Sequence, residues 1–240
     1  MNSFLALSAT DFRSTFREPI FRGILAFPLL CFFIIRWGVP LLVEQFPIMA
    51  PYRLVLLMWG CLQSATMFGF IYGFLLLEEK EENLWQVIRV LPVSGIRLTF
   101  SRLLVGLVVS ALVNFTLIHW GRIAQFPPSI EILLALQFSL GAPLIALWLG
   151  AMAKNRIEGL AQMKILNTLL ISPGLIYFIL HPAAHITGLV PTYWTFRSME
   201  AGARLNQTGL TSFFVYYGIG CAFYALVLYL LNRRLQQSLV

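Results

Sequence analysis

Two histidines four residues apart, His181 and His185, have the spacing a helix needs to present both imidazoles on one face, where they could hold zinc. A third, His119, lies in a different apolar segment. No glutamate follows His181 in the H-E-x-x-H manner, and Pro182 distorts the turn that would align the pair. These residues therefore read as histidines at a membrane border, and no metal site is expected. Scattered serines and histidines form no nucleophile–base arrangement, so no catalytic residue is expected either. Cys31, Cys61 and Cys221 are odd in number and all sit in apolar runs, which suits small packing residues better than a disulfide framework or a zinc pattern. The chemistry concentrates instead in LLLEEKEENLWQVIRVLPVSG, residues 75–95, where Glu78, Glu79, Glu81 and Glu82 surround Lys80 directly after an apolar stretch. Arg36 is the one charged residue well inside such a stretch.

The elements that must position these residues follow from composition. Of 240 residues, 59% are hydrophobic and 11% charged, where a soluble domain carries about 25% charged residues. That much apolar surface needs lipid as its solvent for much of the chain. Six stretches are long enough to cross a bilayer, near Ile20–Val43, Leu54–Leu77, Leu98–Trp120, Ile130–Met152, Ile165–Ile186 and Phe213–Leu231. Helices are expected, because backbone groups in lipid must pair within their own segment. The fold class is an all-α membrane protein in one domain. Residues 1–19 form a surface helix, 20–77 spans one and two, and 78–97 a cytoplasmic connector. Residues 98–186 form spans three to five, 187–212 an outer loop with a short helix, and 213–240 the sixth span and a tail. No cleaved signal peptide is expected, since the first twenty residues mix Asp11, Arg13, Arg17 and Glu18 with apolar positions.

The net charge of +7 raises nucleic acid as a partner, but its distribution argues for topology. With both termini in the cytoplasm, the inner side holds Arg13, Arg17, Arg22, Lys80, Arg89, Arg97, Arg102, Lys154, Arg156, Lys164, Arg233 and Arg234. The outer side holds only Arg53, Arg122, Arg197 and Arg204. This positive-inside bias places the protein in the cytoplasmic membrane with both termini inside and predicts no nucleic-acid partner. Trp37, Tyr52, Trp120, Tyr193 and Trp194 fall at predicted borders, as an aromatic belt would.

Three segments are expected not to span. At the N-terminus, Phe4, Leu5, Phe12 and Phe16 share a helical face, which describes a helix lying on the inner surface and ending near Pro19. On the outer side, Pro191–Leu205 places Arg197, Glu200 and Arg204 on one face, with Glu200 four residues before Arg204. A short helix resting at the outer interface, or dipping into it, fits. The third is the acidic connector. Four glutamates prolonging the second span would crowd the negative end of its helix dipole, so a break and a new helix are expected, with Glu81, Glu82 and Asn83 at its start. Leu84, Val87, Ile88 and Leu91 then form the apolar stripe of a two-turn helix, closed by Pro92. One reading of the stripe is an amphipathic connector floating in headgroups. The other is a helix that docks in a groove on a soluble partner. The glutamates favour the second, because an anionic inner leaflet attracts Lys and Arg.

Residues 78–104, EEKEENLWQVIRVLPVSGIRLTFSRLL, resemble the signature of type-2 ABC exporter permeases. That signature runs from an acidic E-x-E-x-G-T-L-like stretch through a short coupling helix to a P-V-S-like turn before the third span. Glu79, Glu81 and Leu84 match its first part and Pro92, Val93 and Ser94 its last, while Asn83 stands near where the pattern has Gly-Thr. The resemblance implies a transport subunit, not an enzyme, since the sequence has no G-x-x-x-x-G-K-[ST] phosphate loop. ATP and Mg would be bound by a separate ABC ATPase, two copies per complex, and this chain would bind no cofactor. A second permease subunit would complete a homo- or heterodimer in the lipid. Leu84, Val87, Ile88 and Leu91 would fill a cleft in the ATPase, with Glu78, Glu79, Glu81, Glu82 and Arg89 pairing at its rim.

A substrate route is expected to use sparse polar contacts. Arg36 either snorkels toward the outer headgroups near Glu44 or, if the first span lines the route, meets an anionic group. Gln63, Thr66, Asn167 and Ser172 are the other candidates, although interhelical hydrogen bonding explains such residues equally well. Ser172–Pro173–Gly174 should kink the fifth span, either as packing or as a hinge. No acid lies near the centre of any span, which weakens a proton- or sodium-driven carrier. The expected function is the permease subunit of an ATP-driven exporter of a hydrophobic or amphiphilic substrate. The alternative is a membrane-anchored regulatory protein with no transport route.

Overall fold

A computed structural model of the chain describes residues 19–82, 95–179 and 181–238. Helices account for the long elements, and no strand occurs among the described residues. The first span is assembled from α1 (Pro19–Phe33), a π-helical turn at Ile34–Gly38 and α2 (Val39–Gln45). A 3-10 turn (Pro47–Tyr52) leads into α3 (Arg53–Glu81). After the connector come α4 (Gly95–Gly121), α5 (Pro128–Ser139) and α6 (Gly141–Met152). Then follow α7 (Arg156–Ile171), two 3-10 segments (Ser172–Tyr177 and Pro182–Leu189), α8 (Pro191–Ala203) and α9 (Leu205–Ser238), which is kinked at Gly209, where φ is 74°.

Among the described residues five stretches are long and apolar enough, as single helical runs, to cross a membrane: Ala26–Gln45, Pro47–Glu81, Thr99–Gly121, Pro128–Met152 and Leu205–Gln237. The stretch expected as the fifth span, Ile165–Ile186, is not one helix. Pro173 has no N–H to give the carbonyl of Leu169, four residues back, so the α-helical ladder stops there. The Ser172 hydroxyl donates to that carbonyl instead, at 2.7 Å, and the chain continues as 3-10 turns. The kink expected at Ser172–Pro173–Gly174 is thus an end to the helix. In the fourth span Pro143 leaves the Ser139 carbonyl without its usual donor, and α5 and α6 meet end to end around Leu140.

The centre of the bundle is α3 against α6. Gly69 and Gly73, spaced as G-x-x-x-G, let the two backbones approach. A Cβ on Gly69 would stand 2.6 Å from the Ala142 carbonyl oxygen, and one on Gly73 would stand 2.7 Å from Leu149 Cδ1. Ile35 of the first span fills the notch that Gly60 leaves on α3. The other spans pack around this pair, and α9 and the first span turn most of their apolar surface outward. The outer helix α8 does more than rest at an interface. Thr192, Tyr193, Phe196 and Met199 are buried, and the helix packs along α9. The expected N-terminal surface helix lies outside the described residues.

Candidate functional site at the charged end of the bundle

The last turn of α3 carries Glu78, Glu79, Lys80 and Glu81, so the helix does not break before the acids as expected. The physical reason is that each charge finds an opposite charge or helix end on another element. Arg156 Nη2 meets Glu78 Oε1 at 2.6 Å, and its Nε meets Glu81 Oε2 at 3.2 Å. The backbone N–H of Arg156, in the first turn of α7, donates to Glu81 Oε1 at 2.7 Å. A carboxylate from α3 thereby sits on the positive end of α7. Lys80 Nζ donates to the carbonyl oxygens of Ala153 (3.1 Å) and Gly150 (3.4 Å), placing a cation on the negative end of α6. Arg102 of α4 donates to Glu79 Oε1 at 2.6 Å, and this pair is largely buried. Glu82 is exposed just past the helix.

A local motif holds Arg156 in place. Asn155 caps α7, its side chain accepting from the Glu158 N–H at 2.8 Å, while Glu158 Oε2 accepts from the Lys154 N–H at 3.0 Å. This follows the logic of a capping box, and N-x-x-E at residues 155–158 is the sequence signal that marks it. The sequence reading missed both Asn155 and the pairing roles of Arg102 and Arg156. A single helix end on α3 is therefore tied to α4, α6 and α7. Residues 83–94 link this cluster to α4, so the docking candidates Leu84, Val87, Ile88, Arg89 and Leu91 lie outside the described residues.

The route candidates are only partly brought together. Gln63 of α3 and Asn167 of α7 meet, Nε2 to Oδ1, at 3.5 Å. Thr66 donates to the Leu62 carbonyl of its own helix (2.8 Å), and Ser172 to that of Leu169. Arg36 stands apart on the first span, its guanidinium 5.9 Å from the centre of the Trp37 ring. His119 Nδ1 and Glu131 Oε2 are 2.8 Å apart, and His185 Nδ1 and the Tyr193 hydroxyl are 2.8 Å apart. Among the described residues no three His, Cys, Asp or Glu side chains come together as a metal site. On α8, Glu200 pairs with Arg197 (2.8 Å) and with Arg204 (3.4 Å), as the shared helical face led one to expect.

Apolar helices of membrane-crossing length, closed by a charged cluster at one end, define a multi-pass, all-helical membrane protein. The chain belongs to the family described as Fluoroquinolones export permease protein Rv2686c-like, whose family model matches residues 11–232. Membership is consistent with the resemblance to type-2 ABC permeases carried by residues 78–104. Two relatives from Mycobacterium tuberculosis are each 26% identical over 197 residues, covering 79% of this chain and 78% of theirs. They are Fluoroquinolones export permease protein Rv2686c of strain H37Rv and Fluoroquinolones export permease protein MT2760 of strain CDC 1551. No solved structure matches the chain.

Proposed function

We propose that this export permease is the membrane subunit of an ATP-driven exporter whose motor is a separate ABC ATPase, two copies bound beneath a pair of permease subunits. The observation that carries the reading is the charged cluster at the end of α3. Force applied to the connector of residues 83–94 enters a helix end that is already locked to α4, α6 and α7 by Arg102, Lys80 and Arg156. A push there moves several spans together and does not bend a loose loop. The intramolecular partners of Glu78, Glu79 and Glu81 give these acids the role of fixing the lever. Leu84, Val87, Ile88 and Leu91 then supply the apolar contact with the ATPase.

The segment from α7 to Phe178 supplies a sixth crossing, since it runs beside α3 from the Arg156–Glu81 pair at one end to the Tyr52–Phe178 stack at the other. The cluster and both termini then lie on the cytoplasmic side, in keeping with the basic-residue bias. ATP and Mg reside on the ATPase, and the energy reaches this chain only as movement. The cargo is amphiphilic and aromatic, as the fluoroquinolones in the relatives' names suggest. Inside-out vesicles containing this chain and its ATPase test the reading. Accumulation of a fluoroquinolone that requires ATP and both proteins supports it, and accumulation indifferent to ATP or to this chain overturns it.

A further inference from the structure

Gly202, near the end of α8, brings two parts of the chain together. A Cβ there would stand 3.2 Å from Ile130 Cγ2 and 3.5 Å from Phe126 Cδ1, so α8 lies directly on the start of α5. The chain then turns. Residues 205–208 form one helical turn, set off from the rest of α9 by the kink at Gly209. The Thr208 hydroxyl ties this turn back to α8 by donating to the Ala201 carbonyl at 3.2 Å. Between the turn and the α4–α5 loop lies a cavity of about 460 Å³, within the roughly 300–1,000 Å³ that small-molecule sites occupy.

Phe126, which is buried, and Pro127 supply apolar lining. The polar lining consists of three carboxamides, from Gln125, Asn206 and Gln207, and the Arg204 guanidinium; none of the described lining residues is an acid. Among the described residues, none of the three carboxamides makes a hydrogen bond to the protein. Arg204 has a carboxylate partner, but a shared one. Glu200 accepts from Arg197 at 2.8 Å and from the Tyr177 hydroxyl at 3.2 Å, and it reaches Arg204 only at 3.4 Å. The acid in the first turn of α5, Glu131, is buried and lies 2.8 Å from His119. Water alone would satisfy an arginine at the surface. The walled space beside this one, lined by carboxamides with no partner in the protein, is what calls for a ligand.

The cavity stands at the level of lipid headgroups, because Pro127 directly precedes one membrane-crossing stretch and Leu205 begins another. In the orientation given above, this is the outer side. We propose that the cavity binds a glycerophosphate group, with its phosphate on Arg204 and its hydroxyls on Gln125, Asn206 and Gln207. A guanidinium offers paired N–H donors to phosphate oxygens. A carboxamide both donates and accepts, as a diol requires. The group occurs as the headgroup of phosphatidylglycerol and, free, as a soluble ester. Bound here, it ties the turn after α8 to the loop between the third and fourth spans. The site is independent of what the chain exports.

The test is native mass spectrometry of the full chain released from phosphatidylcholine nanodiscs doped with phosphatidylglycerol or with phosphatidylethanol, an anionic phosphodiester without hydroxyls. Phosphatidylglycerol should be retained about fivefold or more over both other lipids. Arg204→Gln should remove the preference over phosphatidylcholine. Asn206→Leu combined with Gln207→Leu should make phosphatidylglycerol and phosphatidylethanol equal. These two side chains are exposed and have no partner in the protein, so the double variant tests the site even if Arg204→Gln fails to fold. Arg233→Gln, at the other end of α9, should change nothing. No preference for phosphatidylglycerol in the wild type, an unchanged preference in Arg204→Gln, or equal retention of the two anionic lipids by the wild type overturns the site. Glycerol 3-phosphate added to the nanodiscs separates the two sources. Displacement of the lipid that depends on Arg204 shows that the soluble ester enters as well, and no displacement confines the site to lipid; either result supports the glycerophosphate site.

Discussion

Arg102 and Glu79 lie 23 positions apart in the chain, and their side chains meet at 2.6 Å. The pair joins the two helices on either side of residues 83–94, so that both arms of the proposed lever are fixed to one another.

Breaking that pair should be expensive, because only 9% of the Arg102 and 13% of the Glu79 side chain is exposed. Removing one partner of a buried pair costs roughly 3–5 kcal/mol. Arg102→Ala should lower the thermal midpoint of the detergent-solubilised protein clearly, and adding Glu79→Ala should restore part of the loss. A single variant as stable as the wild type would show that the pair contributes nothing.

Arg156 offers the opposite balance of stability and coupling. With 43% of its side chain exposed, its two ion pairs are each worth about 0–1 kcal/mol. Arg156→Gln should therefore leave the thermal midpoint nearly unchanged while ATP-dependent export falls several-fold and ATP hydrolysis by the complex continues. Export at the wild-type rate would remove Arg156 from the transmission of force.

The α3–α6 contact should resist enlargement. Gly69→Leu and Gly73→Leu place side chains where a bare Cβ already collides, and overpacking of this kind costs about 1–3 kcal/mol or more. Both should reduce the yield of monodisperse protein. Gly218→Ala is the control: its Cβ meets nothing within 4 Å, so the change should be neutral or stabilise α9 by up to about 1 kcal/mol.

Docking through the connector is checked by Leu84→Asp combined with Leu91→Asp. The double variant should insert in the membrane normally and lose co-purification of the ATPase. Retention of the ATPase would move the docking surface elsewhere on the chain.

Much of the architecture was legible because lipid acts on each segment separately. The stretches near 20–43, 54–77, 98–120 and 130–152 lie within helical stretches found in the structure, and the one near 213–231 lies within α9. The pairing of Glu200 with Arg197 and Arg204 was legible too, since helical spacing alone places those residues together. The fifth span shows where local reading stopped short. Pro173 was visible, but not that Ser172 would take over the Leu169 carbonyl and let the chain leave the α-helix. The acids at 78–82 show the deeper limit. Considered alone they oppose the dipole of their own helix, and a break was the reasonable expectation. They continue α3 because Arg102 and Arg156, together with the first turn of α7, meet them from elsewhere in the chain.

Sequence by itself determined that this is a multi-pass helical membrane protein and assigned an orientation to be tested, because transfer of a segment into lipid depends on that segment's own side chains. Only the tertiary structure decided which charges are locked together. Coulomb energy depends on distance in space, and residues 79 and 102, or 81 and 156, acquire that distance only when the helices pack. The same packing gives those arginines their carboxylates.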